Sequence, residues 1–222
     1  MSAIAITPPS HARRLACLTC LRPQQACICR WITPVAHAVE VVILQHPLEV
    51  ANAKGSARLL HLSLPRSRLA VGEVFAEQAL QALLYAPFSL TQESGTAAAP
   101  DAMQAVLLYP EIAGVAPSPP LAPALLAVPE KLRLVVLDGT WRKSRKMLYL
   151  NPLLQQLPRL PLLQAPPSRY AIRKAHRPHQ LSTLEATCHA LMQLENCDPK
   201  FQPLLQAFDG FVAQQLDYRP PA

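Results

Sequence analysis

The chain has 222 residues, half of them hydrophobic, and 21 Lys and Arg against 14 Asp and Glu, for a net charge of +7. That apolar content excludes a chain disordered throughout, and the length allows one sizeable core with a small appendage. No apolar run approaches the ~20 residues of a membrane span, and no apolar segment follows Arg13 and Arg14 as it would in a secretory signal.

The expectation is therefore a cytoplasmic protein away from membranes, with reduced cysteines and an anionic partner, most simply nucleic acid. Residues 1–15 read as an arm. Cys17, Cys20, Cys27 and Cys29 follow as CxxC then CxC. Four thiols in so short a span suit one tetrahedral shell, and a structural zinc would staple a segment too short for its own core. Two disulfides, disfavoured in a reducing compartment, or four incidental cysteines are the alternatives. Cys188 and Cys197 fall in a helical pattern and read as small core residues. The division expected is an arm and four-cysteine zinc-binding segment over 1–36 and a larger unit over 37–222.

Residues 39–44 read as a strand that Pro47 ends, leaving His46 at its tip as a structural histidine. The spacing predicts an amphipathic helix over 50–62, a short strand over 69–71 and a helix over 75–84. Residues 89–102 read as a loop. Residues 105–109 read as a strand closed by Pro110, and the proline-rich stretch 114–129 as a connection with little regular structure. Residues 132–137 form an apolar run typical of a strand buried on both faces. It stops at Asp138, then Gly139, Thr140 and Trp141, then Arg142, Lys143, Arg145 and Lys146.

A helix should run over 142–150 until Asn151-Pro152, with a short strand at 160–163. Ser182 with Glu185 matches a capping box that opens a helix to about 196. A last helix is expected over 199–216. Strands alternating with helices predict an α/β fold with a mainly parallel sheet. No acidic residue lies between Asp138 and Glu185, an interval that holds nine Lys and Arg, among them Arg159, Arg173 and Lys174. A single-sign block inside folded patterning suggests a phosphate-binding surface.

GxGxxG, GxxxxGK, GxSxG and HExxH are all absent. Dinucleotide, P-loop, serine-hydrolase and zincin chemistry thus lack their usual parts. What remains is a carboxylate at a strand end, where α/β proteins bind ligands, beside a basic surface with Trp and Tyr. The competing reading of Asp138 and Thr140 is a helix cap.

Asp138-Gly139-Thr140-Trp141 resembles the signature of the DTW-domain family. So do CxxC…CxC, Gln45-His46-Pro47, Leu108-Tyr109-Pro110, the 170–174 run Tyr-Ala-Ile-Arg-Lys, and the 181–186 run Leu-Ser-Thr-Leu-Glu-Ala. The resemblance implies a tRNA-uridine aminocarboxypropyltransferase. Such enzymes move the 3-amino-3-carboxypropyl group from S-adenosylmethionine to N3 of a tRNA uridine, in bacterial relatives in the variable loop. It implies a SPOUT-type sheet with a C-terminal trefoil knot, and leaves the oligomeric state open, with a monomer favoured.

Carried over by position, Asp138 is the general base. Leu108, Tyr109, Pro110 and Leu137, with Thr140, Trp141 and the Ser182-Thr183 turn, hold the cofactor. Ser182, Thr183 and Glu185 meet its amino-acid end, unless Ser182 and Glu185 serve only as caps. Arg142, Lys143, Arg145, Lys146, Arg173 and Lys174 hold tRNA phosphates. Trp141 either stacks on a base or packs in the core. The readings set against this one are a non-catalytic RNA-binding protein and a SPOUT methyltransferase.

Overall fold

The computed structural model describes residues 15–88, 103–111, 118–162, 167–168 and 180–217. Four apolar runs form strands β1 (Glu40–Gln45), β2 (Ser67–Val71), β3 (Gln104–Leu107) and β4 (Leu132–Asp138). All pair in parallel, in the order β2-β1-β4-β3. The helices are α1 (Ala57–Ser63), α2 (Glu77–Tyr85), α3 (Pro123–Leu126), α4 (Trp141–Leu150), α5 (Pro152–Gln155), α6 (Thr183–Glu195) and α7 (Asp198–Asp217).

Alternate strand residues go to opposite faces, and two cores follow. Val41, Ile43, Val106, Leu134 and Val136 pack with α1, α6 and α7 through Leu60, Leu184, Cys188, Leu191, Phe201 and Phe208. Val42, Leu44, Leu107, Val135 and Leu137 pack with α2, α4 and α5 through Leu80, Leu84, Met147, Leu148 and Leu154. Each of these buried side chains contributes about 1.5–3 kcal/mol. All residues of β1 and β4 are buried, as central strands of a three-layer α/β fold require.

Several expected elements differ. The helix predicted over 50–62 is a 3-10 turn at Pro47–Glu49, a run of turns, and then α1 alone. Asn52 explains the break: its side chain bonds the Lys54 amide and its carbonyl takes the Gly55 amide, so the backbone turns before a helix can form. Val50, at the start of that expected helix, is exposed. The strand expected at 160–163 is instead a single bridge of Arg159 to Leu107. Pro158 O and the Leu160 amide bond Leu107, and Pro161 has no amide to extend the ladder. The proline-rich connection holds α3 and a 3-10 turn at Pro129–Lys131. Cys188 is buried in α6, whereas Cys197 lies past its end and is half-buried. The loop expected over 89–102 lies outside the described residues. So does much of the chain between α5 and α6, through which the knot would run.

At the amino ends of β1 and β4 the sequence had no obvious reason for charge, yet Arg133, fully buried, binds Glu40. Arg133 also donates to the carbonyls of Leu83 and Ala86 at the end of α2, at 2.9 and 2.8 Å. These extra bonds are what make a buried pair tolerable.

His37 is buried nearby. Its Nδ1–H donates to Val39 O at 2.6 Å, and its Nε2 accepts the Arg66 amide at 3.2 Å. Burial lowers its pKa below the usual 6.5, and His61 is lowered by burial too. A second proton on His37 would face the Arg66 N–H. The folded state thus binds fewer protons than the unfolded one, so stability is complete above pH ~6.5 and is lost as pH falls through the lowered value. The urea midpoint is expected to drop on going from about pH 7.5 to pH 5.5, and less steeply in His37→Gln. Equal pH slopes in the two chains would remove His37 as a cause.

Candidate active site

The register of β1 on β4 sets Gln45 beside Asp138 at the carboxyl ends of the two central strands. The helices that follow them, α1 and α4, go to opposite faces of the sheet. A crevice opens at such a switch point. Asp138 is only 5% exposed. Its Oδ2 accepts from Gln45 Nε2 at 2.9 Å and its Oδ1 accepts from Thr183 Oγ1 at 2.6 Å. Thr140, not Asp138, is the N-cap of α4. A hydrogen-bonded carboxylate at the tip of a sheet can hold a charge, or a proton, at a defined place.

Thr183 is the first residue of α6. Ser182 and Glu185 close the expected capping box: the Ser182 hydroxyl accepts the Glu185 amide at 3.2 Å, and Glu185 Oε2 accepts the Ser182 amide at 2.7 Å. The Leu184 amide donates to Ser56 Oγ at 3.2 Å. Glu185 is buried and also accepts from the Ser168 hydroxyl. It anchors the turn behind the cavity wall.

A cavity of about 790 Å³ lies over these strand ends. Leu108, Tyr109, Pro110, Leu137, Thr140, Trp141, Ser182 and Thr183 line it, together with Arg142, Gln180 and Leu160. Eight of the nine residues expected around a cofactor thus line the one cavity, and Glu185 is the exception. Trp141 is 55% exposed and meets Tyr109 edge-on at 5.6 Å. It is therefore no core residue. The cavity joins an apolar side to polar groups at a helix amino end, the mix expected of a ligand site.

The cations of α4 divide into two kinds. Lys143 pairs with Glu49 at 2.8 Å and Lys146 with Glu73 at 2.9 Å. Lys146, then His46 Nε2 at 2.9 Å, hold the Glu73 carboxyl below its usual pKa. Among the described residues no carboxylate pairs with Arg142 or Arg145. Arg145 lies against Tyr149, 5.9 Å from its ring. Arg173 and Lys174 lie outside the described residues. Gln45, Glu49 and Glu73 escaped the sequence reading. Only the Gln45-His46-Pro47 run pointed their way, and it showed no partner.

The four Sγ atoms of Cys17, Cys20, Cys27 and Cys29 lie within 4.8 Å of one another. Cys17–Cys29 and Cys20–Cys27 are 3.5 and 3.8 Å apart. Zinc–sulfur bonds of ~2.3 Å in a tetrahedron put sulfurs about 3.8 Å apart, so the set fits zinc. Amides of Cys20 and Thr19 lower the Cys17 thiol to about 6, while burial raises the facing Cys29 thiol to about 12, so the pair holds one ready thiolate. The segment is fastened to α7. Trp31 lies where a Cβ at Gly210 would be, and Gln214 bonds both Trp31 Nε1 and Cys27 O.

The DTW-domain model matches residues 14–216. The chain belongs to the DTW-domain family. Three relatives carry the name tRNA-uridine aminocarboxypropyltransferase 2. The Mus musculus protein is 29% identical over 217 residues, 95% of this chain and 67% of its own length. That of Macaca fascicularis is 28% identical, over 93% of this chain and 65% of its own length. That of Drosophila melanogaster is 30% identical, over 96% and 79%. The chain spans about two thirds of the first two relatives. No solved structure matches it. In this DTW domain the signature run forms a strand end, a turn and a helix cap at the cavity.

The geometry of the four thiols sets an expected outcome. Metal analysis should find about one zinc per chain, and a strong chelator should lower the thermal midpoint by loosening the Trp31 contact on α7. A metal-free protein whose midpoint ignores the chelator would rule zinc out.

Proposed function

We propose that this DTW-domain protein transfers the 3-amino-3-carboxypropyl group of S-adenosylmethionine to N3 of a tRNA uridine, in the variable loop, and releases methylthioadenosine. The observation that supports it most is the Asp138 carboxylate, held at the strand tip one hydrogen bond behind the cavity wall. The names of the relatives give the reaction class.

The residues fit the co-substrate. Leu108, Tyr109, Pro110 and Leu137 offer an apolar wall for adenine. The amino end of α6, with the Ser182 hydroxyl, suits a carboxylate. The bound sulfonium supplies an electrophilic methylene, so the transfer itself needs only a base and a well-placed nucleophile. Asp138 is that base and ends the step protonated. Gln45 fixes one of its oxygens. Trp141 and Tyr149 flank Arg142 and Arg145 on the outward side of α4, a surface for bases and phosphates. Lys143 and Lys146 serve mainly to tie α4 to Glu49 and Glu73. Zinc at the four cysteines is structural. A SPOUT-type knot would bring the basic interval to the cavity. The protein acts in the cytoplasm, where its tRNA is.

Incubation with unmodified tRNA and S-adenosylmethionine should yield the aminocarboxypropyl nucleoside with methylthioadenosine; S-adenosylhomocysteine would mean methyl transfer instead. Asp138→Asn should slow the step about 10²–10⁴-fold with tRNA binding kept. Unchanged turnover in that variant would remove Asp138 from the chemistry.

The two kinds of cation should separate as well. Arg142→Ala and Arg145→Ala should each weaken tRNA binding and cut the salt slope by about one. Lys143→Ala should lower the thermal midpoint and leave the slope near that of the parent. The reverse pattern would reassign the surface.

A further inference from the structure

Asp138 is not among the residues that wall the cavity, although Leu137 and Gly139 on either side of it are. Thr183 is. Its hydroxyl, on a residue that lines the cavity, donates to Asp138 Oδ1 at 2.6 Å. A hydroxyl that donates one hydrogen bond still has lone pairs to accept another.

The position of this hydroxyl is fixed from several sides. The capping box sets the backbone before it. Ser56 holds the next amide, and the Thr187 hydroxyl bonds the Thr183 carbonyl at 2.7 Å. A β-branched side chain in a helix has few rotamers to choose from. Uridine N3 offers a single N–H, and an oxygen acceptor on the wall is what that group can meet.

We propose that Thr183 is a catalytic residue that relays the proton between N3 and Asp138; this rests on the uridine-alkylation reading above. In one step the N3–H bond breaks and the proton goes to Thr183 Oγ1. The Thr183 O–H bond breaks and its proton goes to Asp138 Oδ1. The N3 electron pair forms the new bond to the methylene carbon. The carbon–sulfur bond breaks, and its electrons leave the sulfonium as a neutral thioether. One carboxylate is neutralised and one sulfonium is discharged, so charge balances.

The arrangement also protects the co-substrate. A carboxylate exposed in the cavity is itself a nucleophile and would compete with N3 for the same carbon, forming an ester. Withdrawn behind a hydroxyl, Asp138 can take a proton but cannot reach the methylene. Thr183 oxygen, protonated at rest, is too weak a nucleophile to substitute for N3.

The test is single-turnover release of methylthioadenosine by the full chain, on a tRNA transcript carrying uridine and on one carrying 5-fluorouridine, whose N3 is more acidic. Thr183→Val is expected to slow the uridine reaction about 100-fold or more, with Thr183→Ser within about tenfold of the parent. On the fluorinated transcript the Thr183→Val loss should shrink by about tenfold, because a more acidic N3 needs the relay less. Affinity for S-adenosylmethionine and the thermal midpoint of Thr183→Val should stay near those of the parent. A Thr183→Val rate within about threefold of the parent overturns the relay. So does an equal loss on both transcripts, or a loss traced to weaker S-adenosylmethionine binding. If Thr183→Val folds poorly, Thr183→Ala is read by the same ratio of the two transcripts, which partial misfolding does not change. Failure of the parent to release methylthioadenosine from either transcript overturns the alkylation reading itself, and so is told apart from failure of the relay.

Discussion

The site depends on one register. In the pairing of β1 with β4, Gln45 comes opposite Asp138. Neighbours in a parallel ladder project to the same side of the sheet. A slip by one residue would turn Gln45 to the other core and leave the carboxylate without its amide. Two observations show what holds the register. At the other end of the same strands Glu40 stands opposite Arg133, and that ion pair is buried. Between the two ends every side chain of both strands is buried. The sheet is thus pinned by charge at its amino end and by hydrogen bonds to a carboxylate at its carboxyl end, with apolar packing between. The hydroxyl that meets the other oxygen of Asp138 comes from the start of α6, 45 residues along the chain.

The cysteine segment reaches the same place through ordinary contacts. Arg22 donates to the carbonyls of Ala53 and Gly55, and Arg58 donates to Thr19 O. These bonds fasten the segment to α1 and to the turns before it. Ser56, next to Gly55, takes the Leu184 amide beside Thr183. A segment with no core of its own thereby braces the loop that steadies the amino end of α6. The Trp31 ring on Gly210 braces it from the other side, at the cost of a glycine inside α7.

How much of this was legible in the sequence can be judged residue by residue. The Asp138 strand end, the Thr140 cap, the Asn151-Pro152 stop and the Ser182–Glu185 capping box depend on near neighbours in the chain, and local pattern shows them. The eight cavity residues lay in three runs that family resemblance could tie together, though nothing local could. Gln45 shows no role in its local motif, because its role is a register. Glu40 and Arg133 are charges within apolar strands, and each is explained only by the other. The helix expected over 50–62 is reduced to α1 for a local reason: the turn chemistry of Asn52 and Gly55 outweighs the apolar spacing.

The cations show most clearly why one-dimensional charge misleads. Arg142, Lys143, Arg145 and Lys146 look like one block, since no acidic residue interrupts them before Glu185. Folding brings Glu49 and Glu73 to the block from elsewhere and neutralises both lysines, but neither arginine among the described contacts. A compact ammonium is well suited to such a point-to-point tie, while a guanidinium left free keeps its planar fork for phosphate and its face for an aromatic ring. Trp141, exposed beside the cavity, and Tyr149, beneath Arg145, complete that face. Along α4 the strip that remains cationic is therefore narrower than the sequence suggests. It begins at the cavity wall with Arg142, in the same cavity that Thr183 lines.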